Sequence, residues 1–242
     1  MAALGRGFPL SAPGHVRYPE GHARPRPARS HPTPPDARLS RAAAQRLSLY
    51  LRSLDSLARS GGTASSQDLA QTVGVSAAQV RRDLAALGHL GLRGVGYEAT
   101  GLAVAIRKTL GIDRPWKAVL VGVGNLARAL LRYRGFADHG FEIVALFDTD
   151  PAKFGQTVAG LRIVPLTDLK DSVRKCRAEL GILAVPSEAA QDVANQMAQA
   201  GLRGVMNFAP VRLEFSRGVQ VVTVDLAIQL EQLAFAVHLG EE

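Results

Sequence analysis

The run Val119-Leu120-Val121-Gly122-Val123-Gly124-Asn125-Leu126-Ala127 constrains this chain more than any other stretch. An apolar strand pattern enters G-x-G-x-x-A directly, and helical spacing follows at Ala127, Leu130 and Leu131. In a dinucleotide fingerprint each small residue has a physical task. Gly122 permits the tight turn, Gly124 lets the backbone approach a pyrophosphate, and Ala127 lets the helix lie against the strand. The helix N-terminus offers free N–H groups and a positive dipole end to phosphates. A second strand pattern, Glu142–Phe147, ends at Asp148. A ribose-binding acid belongs roughly 20 residues beyond such a fingerprint. The Asp148 carboxylate can accept both ribose hydroxyls and would repel a 2′-phosphate, which points to NAD(H) rather than NADP(H). Gly122, Val123, Gly124, Asn125, Leu126, Ala127 and Asp148 are the expected cofactor residues. The plain alternative is a glycine turn with no ligand. The agreement of strand, glycines, helix and acid favours the dinucleotide.

The formal charge of +8 is unevenly distributed. Residues 1–40 and residues 41–97 each carry a net +4, whereas residues 98–242 carry sixteen charges of each sign. The basic character lies outside the dinucleotide segment, which implies a polyanion partner for the N-terminal part. The 242 residues suffice for one or two domains with a sizeable core. The single cysteine, Cys176, excludes an internal disulfide framework and fits a cytoplasmic protein. No run reaches membrane-spanning length, and no metal-ligand spacing appears.

Residues 1–40 hold eight of the thirteen prolines and no apolar period. They are expected to form a disordered Arg/Pro-rich arm, with a start codon assigned too early as the other explanation. Residues 41–112 carry a helix-turn-helix pattern. Leu47, Leu51, Leu54 and Ala58 mark a first helix, and Ser65 or Ser66 caps a second. Ser76-Ala77-Ala78-Gln79 spells a capping box for the third. Leu92–Tyr97, with Gly94 and Gly96, suggests a small wing, and Thr100 a cap for a further helix. Residues 113–224 then alternate strand and helix, which predicts a Rossmann-type, doubly wound parallel sheet. In residues 225–242, Leu226, Leu230, Leu233 and Val237 form one apolar face of a helix, and Ile228, Phe235 and Leu239 another. Such a helix needs cover on two sides, from its own chain or from a partner subunit.

On the third helix, Gln79, Arg81 and Arg82 are expected to face solvent, away from Val80 and Leu84. Arg pairs bidentately with guanine and Gln with adenine, while Ser76 at the helix start suits a phosphate. Arg93 on the wing suits a minor groove. A solvated face with ordinary surface arginines is the alternative. Catalytic equipment is thin. Beyond the arm the histidines are His89, His139 and His238, and no nucleophile elbow occurs. No catalytic residues are assigned.

Several stretches occur together in one order: Arg46–Arg52, Val80-Arg81-Arg82-Asp83-Leu84, Arg93-Gly94-Val95-Gly96-Tyr97, Gly124-Asn125-Leu126, Phe147-Asp148, Val185–Gln191, Asn207-Phe208-Ala209-Pro210 and Val224-Asp225-Leu226. In these the chain resembles the Rex family of redox-sensing transcriptional repressors, from about Arg46 to Leu239. The family usually has glycine where Ala127 stands and an aromatic pair where Ala86-Leu87 stand. The resemblance implies a homodimer of winged-helix and Rossmann-type domains with domain-swapped C-terminal helices. It implies binding to a palindromic double-stranded DNA operator, and release when NADH rises relative to NAD+. It also implies that the pyrophosphate lies on Gly122–Ala127 and the adenosine ribose on Asp148, with Pro186 and Phe208-Ala209-Pro210 near the nicotinamide. Arg52, Tyr97 and Asp225 would act in the switch. The expectation is therefore an NADH-responsive repressor and not an enzyme. Against it stand an NAD-dependent oxidoreductase with an N-terminal helical appendage, and more weakly a CoA-binding α/β module.

Overall fold

The computed structural model describes residues 39–88, 91–92, 95–215 and 218–240. Nearly all of the arm expected over residues 1–40, and Arg93 of the wing, lie outside the described residues. None of the described helices is long and apolar enough to cross a membrane.

The first part contains α1 (Arg41–Ala58), β1 (Thr63–Ala64), α2 (Ser66–Val73), α3 (Ala77–Ala85), β2 (Gly91–Leu92), β3 (Gly96–Glu98) and α4 (Ala99–Leu110). Serines start three of these helices, each accepting a backbone N–H that would otherwise be unsatisfied: Ser40 for α1, Ser65 for α2 and Ser76 for α3. The reciprocal capping box is at Ser65 and Asp68. At Ser76 only half of the expected box forms, because the Gln79 amide turns away to a buried carboxylate. The helix expected to start at Thr100 begins at Ala99 instead. The Glu98 carboxylate accepts the N–H groups of both Thr100 and Gly101, so it caps more effectively than a hydroxyl. Leu47, Tyr50 and Leu54 of α1, Leu69 of α2, Val80 and Leu84 of α3 and Ile106 of α4 fuse into one core. The strands β1, β3 and β2 pair antiparallel as the wing.

After a connection in which Trp116 Nε1 donates to the Gly111 carbonyl at 2.8 Å, the α/β part follows. It contains β4 (Trp116–Val121), α5 (Asn125–Arg132), α6 (Gly135–Asp138), β5 (Phe141–Asp148), β6 (Thr157–Val158), β7 (Leu161–Pro165), α7 (Leu169–Cys176), β8 (Leu180–Leu183), α8 (Ser187–Gln199), β9 (Gly204–Asn207) and β10 (Gln220–Thr223). Among the described residues the sheet runs β10-β9-β8-β4-β5-β7-β6, parallel except for the β6–β7 hairpin. Counting only the parallel strands, this is the doubly wound order, with its reversal between β4 and β8. The short α6 and the β6 edge strand have no sequence period long enough to announce them. Helices α7 and α8 cover one face through Leu169, Val173, Ala190, Val193 and Met197. Helix α5 covers part of the other, where Ala127 is fully buried against Leu120, Leu146 and Ile182.

The described part of the connection from β9 to β10 holds no helix. This leaves an apolar groove of about 300 Å³ between Phe136, Phe141, Ile182, Met206 and Val222. The last helix, α9 (Leu226–Leu239), buries no residue in this chain, with Leu230 67% and Phe235 63% exposed. Among the described residues, the chain's own core does not supply the cover this helix needs.

Candidate functional site

A cavity of about 470 Å³ opens at the carboxyl ends of β4 and β8, where ligands bind in open α/β sheets. Gly122, Val123 and Gly124 line it together with Asp148, Asp150, Lys153, Pro186 and Ala189. The two loop glycines differ in what they need. Gly122 has φ +91°, and a Cβ there would strike the Ala184 carbonyl and lie 2.7 Å from Val185 Cγ1. The fold itself therefore requires that glycine. A Cβ at Gly124 would meet no protein atom within 4 Å. The protein around Gly124 thus leaves the loop backbone open to the cavity at that position. Behind it α5 begins with no side-chain cap, and α8 likewise begins uncapped at Pro186. Two sets of helix N-terminal N–H groups are thus left for an anion.

Asp148 is nearly buried at the end of β5. Its Oδ2 accepts the Val123 N–H at 2.8 Å and the Lys153 ammonium at 2.9 Å, and its Oδ1 accepts the Asp150 N–H at 2.9 Å. Burial pushes this carboxyl up. The hydrogen bonds from Asp150, Lys153 and Val123 outweigh it and hold the group below its usual range. Asp148 thereby braces the glycine loop as well as facing the cavity.

The expected nicotinamide segment is placed less directly. Pro186 lines the cavity, whereas Ala209 is buried in the core and Pro210 is exposed. Phe208 is partly buried against the apolar cluster that includes Val123 and Ala127. The turn is held by Asn207, fully buried, whose amide donates to the Ala209 and Val211 carbonyls at 3.0 and 2.9 Å and accepts from the Ala209 N–H.

At the other end of the chain, α3 presents Arg81 and Arg82 to solvent. Arg82 donates to Gln79 Oε1 at 2.7 Å, and Gln79 Nε2 donates to Asp83 Oδ1 at 2.8 Å. Gln79 is therefore half-buried and engaged, not free on the solvent face as its spacing predicts. The cause is Asp83, a buried acid one residue before Leu84. Arg46 of α1 grips Asp83 with two bonds of 2.7 Å, and the Tyr50 hydroxyl adds a third at 2.9 Å. Burial, then the Asp83 hydrogen bond, pushes the Tyr50 hydroxyl up to about 12. Burial also pushes Asp83 up, but the bonds from Arg46, Gln79 and Tyr50 prevail and hold it below its ordinary 3.8.

A carboxylate held down in this way stabilises the fold above its unfolded value, and the gain disappears as pH falls through the lower folded one. Asp83→Asn should cost about 3 kcal/mol at neutral pH, the lower end for a broken buried pair because Arg46 stays partly solvated. Denaturant melts of the variant and the parent should converge as pH drops below 3.8. A difference that stays constant with pH would mean that lost packing, not the ion pair, is responsible.

Two family models match the chain. One, described as "CoA binding domain", covers residues 113–211, and the other, described as "Putative DNA-binding protein N-terminus", covers residues 38–85. The redox-sensing transcriptional repressor Rex of Rhodopirellula baltica is 49% identical over 203 residues, covering 84% of this chain and 86% of that protein. Rex of Desulforamulus reducens is 48% identical, covering 81% of this chain and 94% of that protein. The chain belongs to the Rex family of redox-sensing transcriptional repressors. Among solved structures, the Rex-family repressor RSP in complex with β-NAD+ and operator DNA aligns with a TM-score of 0.77 at 30% identity, covering 84% of this chain and 94% of RSP. RSP in complex with β-NADH aligns with a TM-score of 0.75 at 29% identity, covering 84% and 95%.

Membership of the Rex family sets aside the oxidoreductase alternative. Within this single Rex chain the three expected switch residues occupy separate places. Arg52 lines a small cleft with His139 and Phe141, between α1 and the α/β part. Tyr97 lays its ring over Gly91 and packs on the winged-helix core. Asp225 caps α9, accepting the N–H groups of Ala227 and Ile228 at 2.9 and 3.3 Å. Where the Rex family usually carries aromatics, Ala86 caps the end of α3 and Leu87 packs on the core. Three polar residues that shape these sites, Lys153, Asn207 and Asp83, were not among the expected site residues. Asp83 had a signal, since it shares the helical face of Val80 and Leu84. Asn207 opens one of the stretches that carry the family resemblance, while Lys153 had no signal of its own.

Proposed function

We infer that this chain is a DNA-binding transcriptional repressor that senses the NADH/NAD+ ratio and leaves its operator when NADH binds. The observation that carries the inference is the cavity at Gly124. It supplies uncapped helix N-termini and a ribose-facing carboxylate, in a chain that also holds a capped, arginine-bearing helix-turn-helix. Residues 41–112 are assigned to the operator and 113–224 to the dinucleotide, with residues 1–40 a separate arm. Pyrophosphate is assigned to Gly122–Ala127 and the adenosine ribose to Asp148. Pro186 and the Phe208–Pro210 turn are assigned to the nicotinamide side. Ser76, Arg81, Arg82 and Arg93 are assigned to DNA, with Gln79 setting the pose of Arg82. Its place of work is the cytoplasm.

Residues 225–242 are assigned to a homodimer with exchanged helices. The support is that α9 has no cover among the described residues of its own chain while an apolar groove stands open on the sheet. A two-fold dimer matches a palindromic operator. Asp225, Arg52 and Tyr97 are assigned to the switch. A carboxylate with alternative partners gives two states, and a coupling of about 1–3 kcal/mol would change DNA affinity roughly 5–150-fold.

NADH and NAD+ differ in the nicotinamide, neutral when reduced and cationic when oxidised. The carboxylates lining the cavity, Asp148 and Asp150, belong to the ribose end, while Pro186 and Ala189 offer no counter-charge. Burying an unpaired cation there is costly. NADH should release a protein–operator complex at much lower concentration than NAD+, measured by fluorescence anisotropy. Equal release by both nucleotides would refute the redox assignment. CoA is the second reading, motivated by the description of the matching model. It carries a phosphate on its adenosine ribose, which Asp148 and Asp150 oppose. CoA that releases operator at lower concentration than NADH would reverse the order.

A further inference from the structure

The charged side chains of the cavity come from a single short segment, Asp148 to Lys153. Asp150 caps a tight turn at Pro151–Lys153 by accepting the Ala152 N–H at 2.9 Å. The turn folds the chain back so that Lys153 Nζ lies 2.9 Å from Asp148 Oδ2 and 3.9 Å from Asp150 Oδ2. A carboxylate oxygen has two lone pairs. Asp148 Oδ2 spends both, on the Val123 N–H and on Lys153, while Oδ1 spends one on the Asp150 N–H. One site is left. The sequence suggests a carboxylate free to take both ribose hydroxyls, and the structure leaves room for one. Lys153 has three ammonium protons and lines the same cavity, so it is a cationic donor on the side of the cavity assigned to the ribose.

We propose that the Asp148–Lys153 ion pair, rather than Asp148 alone, makes the choice between a free ribose and a 2′-phosphorylated one. Lys153 is a specificity-determining residue, a latent phosphate-binding cation that Asp148 keeps occupied. This deepens the NADH reading and rests on it. With the pair intact, Asp148, Asp150 and Lys153 sum to one negative charge facing the 2′ position. A phosphate monoester carries about −1.5 to −2 near neutral pH, so it is repelled and finds the nearest cation already engaged. If Asp148 loses its charge but keeps its shape, the segment becomes neutral and Lys153 is released to act as a compact point cation for phosphate. Asp150 remains as a competitor, at the longer distance and more exposed.

The test is calorimetric titration of the full chain with NADH and with NADPH. Asp148→Asn keeps an oxygen for the Val123 N–H. It should bind NADPH at least tenfold more tightly than the parent, and NADH severalfold more weakly. Adding Lys153→Met should return NADPH to the parental weakness, whereas adding Lys153→Arg should keep the gain. The gain should shrink as salt is raised. Lys153→Met alone should widen the preference for NADH over NADPH, read by competition. The proposal is overturned by an Asp148→Asn protein that gains no NADPH affinity, by a gain that survives Lys153→Met, or by an unchanged preference in Lys153→Met alone. A parent chain that binds no NADH sinks the cofactor reading itself, a result distinct from any of these.

Discussion

Gly124→Ala should leave the fold standing and take away dinucleotide binding, while Gly122→Ala should damage the fold itself. The two positions stand two residues apart in one loop, yet they answer to different atoms. At Gly124 an added methyl has nothing within 4 Å, so the folded chain accommodates it without strain. The same methyl stands where a pyrophosphate must approach the loop N–H groups. Losing one charge-assisted hydrogen bond costs about 1.5–3 kcal/mol, roughly 10- to 150-fold in affinity. At Gly122 the backbone is at φ +91° and the methyl would strike the Ala184 carbonyl. Strain and overpacking together amount to about 3–5 kcal/mol, a large part of the stability of an ordinary domain. Thermal unfolding and NADH calorimetry on both variants separate the two effects. Unimpaired NADH binding by a well-folded Gly124→Ala protein would remove the pyrophosphate from this loop.

The second large effect belongs to α9. Placing glutamate at both Leu230 and Phe235 should convert a dimer into monomers. In the single chain both side chains are mostly exposed, so the substitutions cost the monomer almost nothing. In a dimer with exchanged helices the two residues are covered twice over, once per subunit. Full burial of a Leu or Phe side chain contributes about 1.5–3 kcal/mol, so the dimer should lose roughly 6–12 kcal/mol. Sedimentation velocity should show a halved mass at micromolar concentration. Operator affinity should fall by more than a hundredfold, because each half-site is then bound alone. An unchanged mass would place the dimer contacts elsewhere and leave α9 without its assigned role.

Much of this was legible in the sequence, and the legible features share a cause. The turn at Gly122, a serine cap at position 65 or 66, the cap at Ser76, the apolar faces of α1 and α3 and the strand entering the fingerprint are all decided within a few residues. Local sterics and hydrogen bonding act over that range, so a pattern in the chain suffices. The winged helix-turn-helix, the parallel strands and the place of Asp148 at the end of β5 follow from such patterns. What only the tertiary structure decided involves groups brought together from afar or around an unsignalled turn. Arg46 and Asp83 are 37 positions apart, and their pairing turned Gln79 from a base reader into a support. The local turn already asks for glycine at position 122, but the clash that a side chain there would make comes from the Ala184 carbonyl on the neighbouring β8 connection. Lys153 returns to Asp148 only because Asp150 and Pro151 fold the intervening turn. Apolar periodicity told that α9 must be covered, since burial is non-directional. Which surface covers it depends on shape, and shape exists only once the sheet has left its groove open.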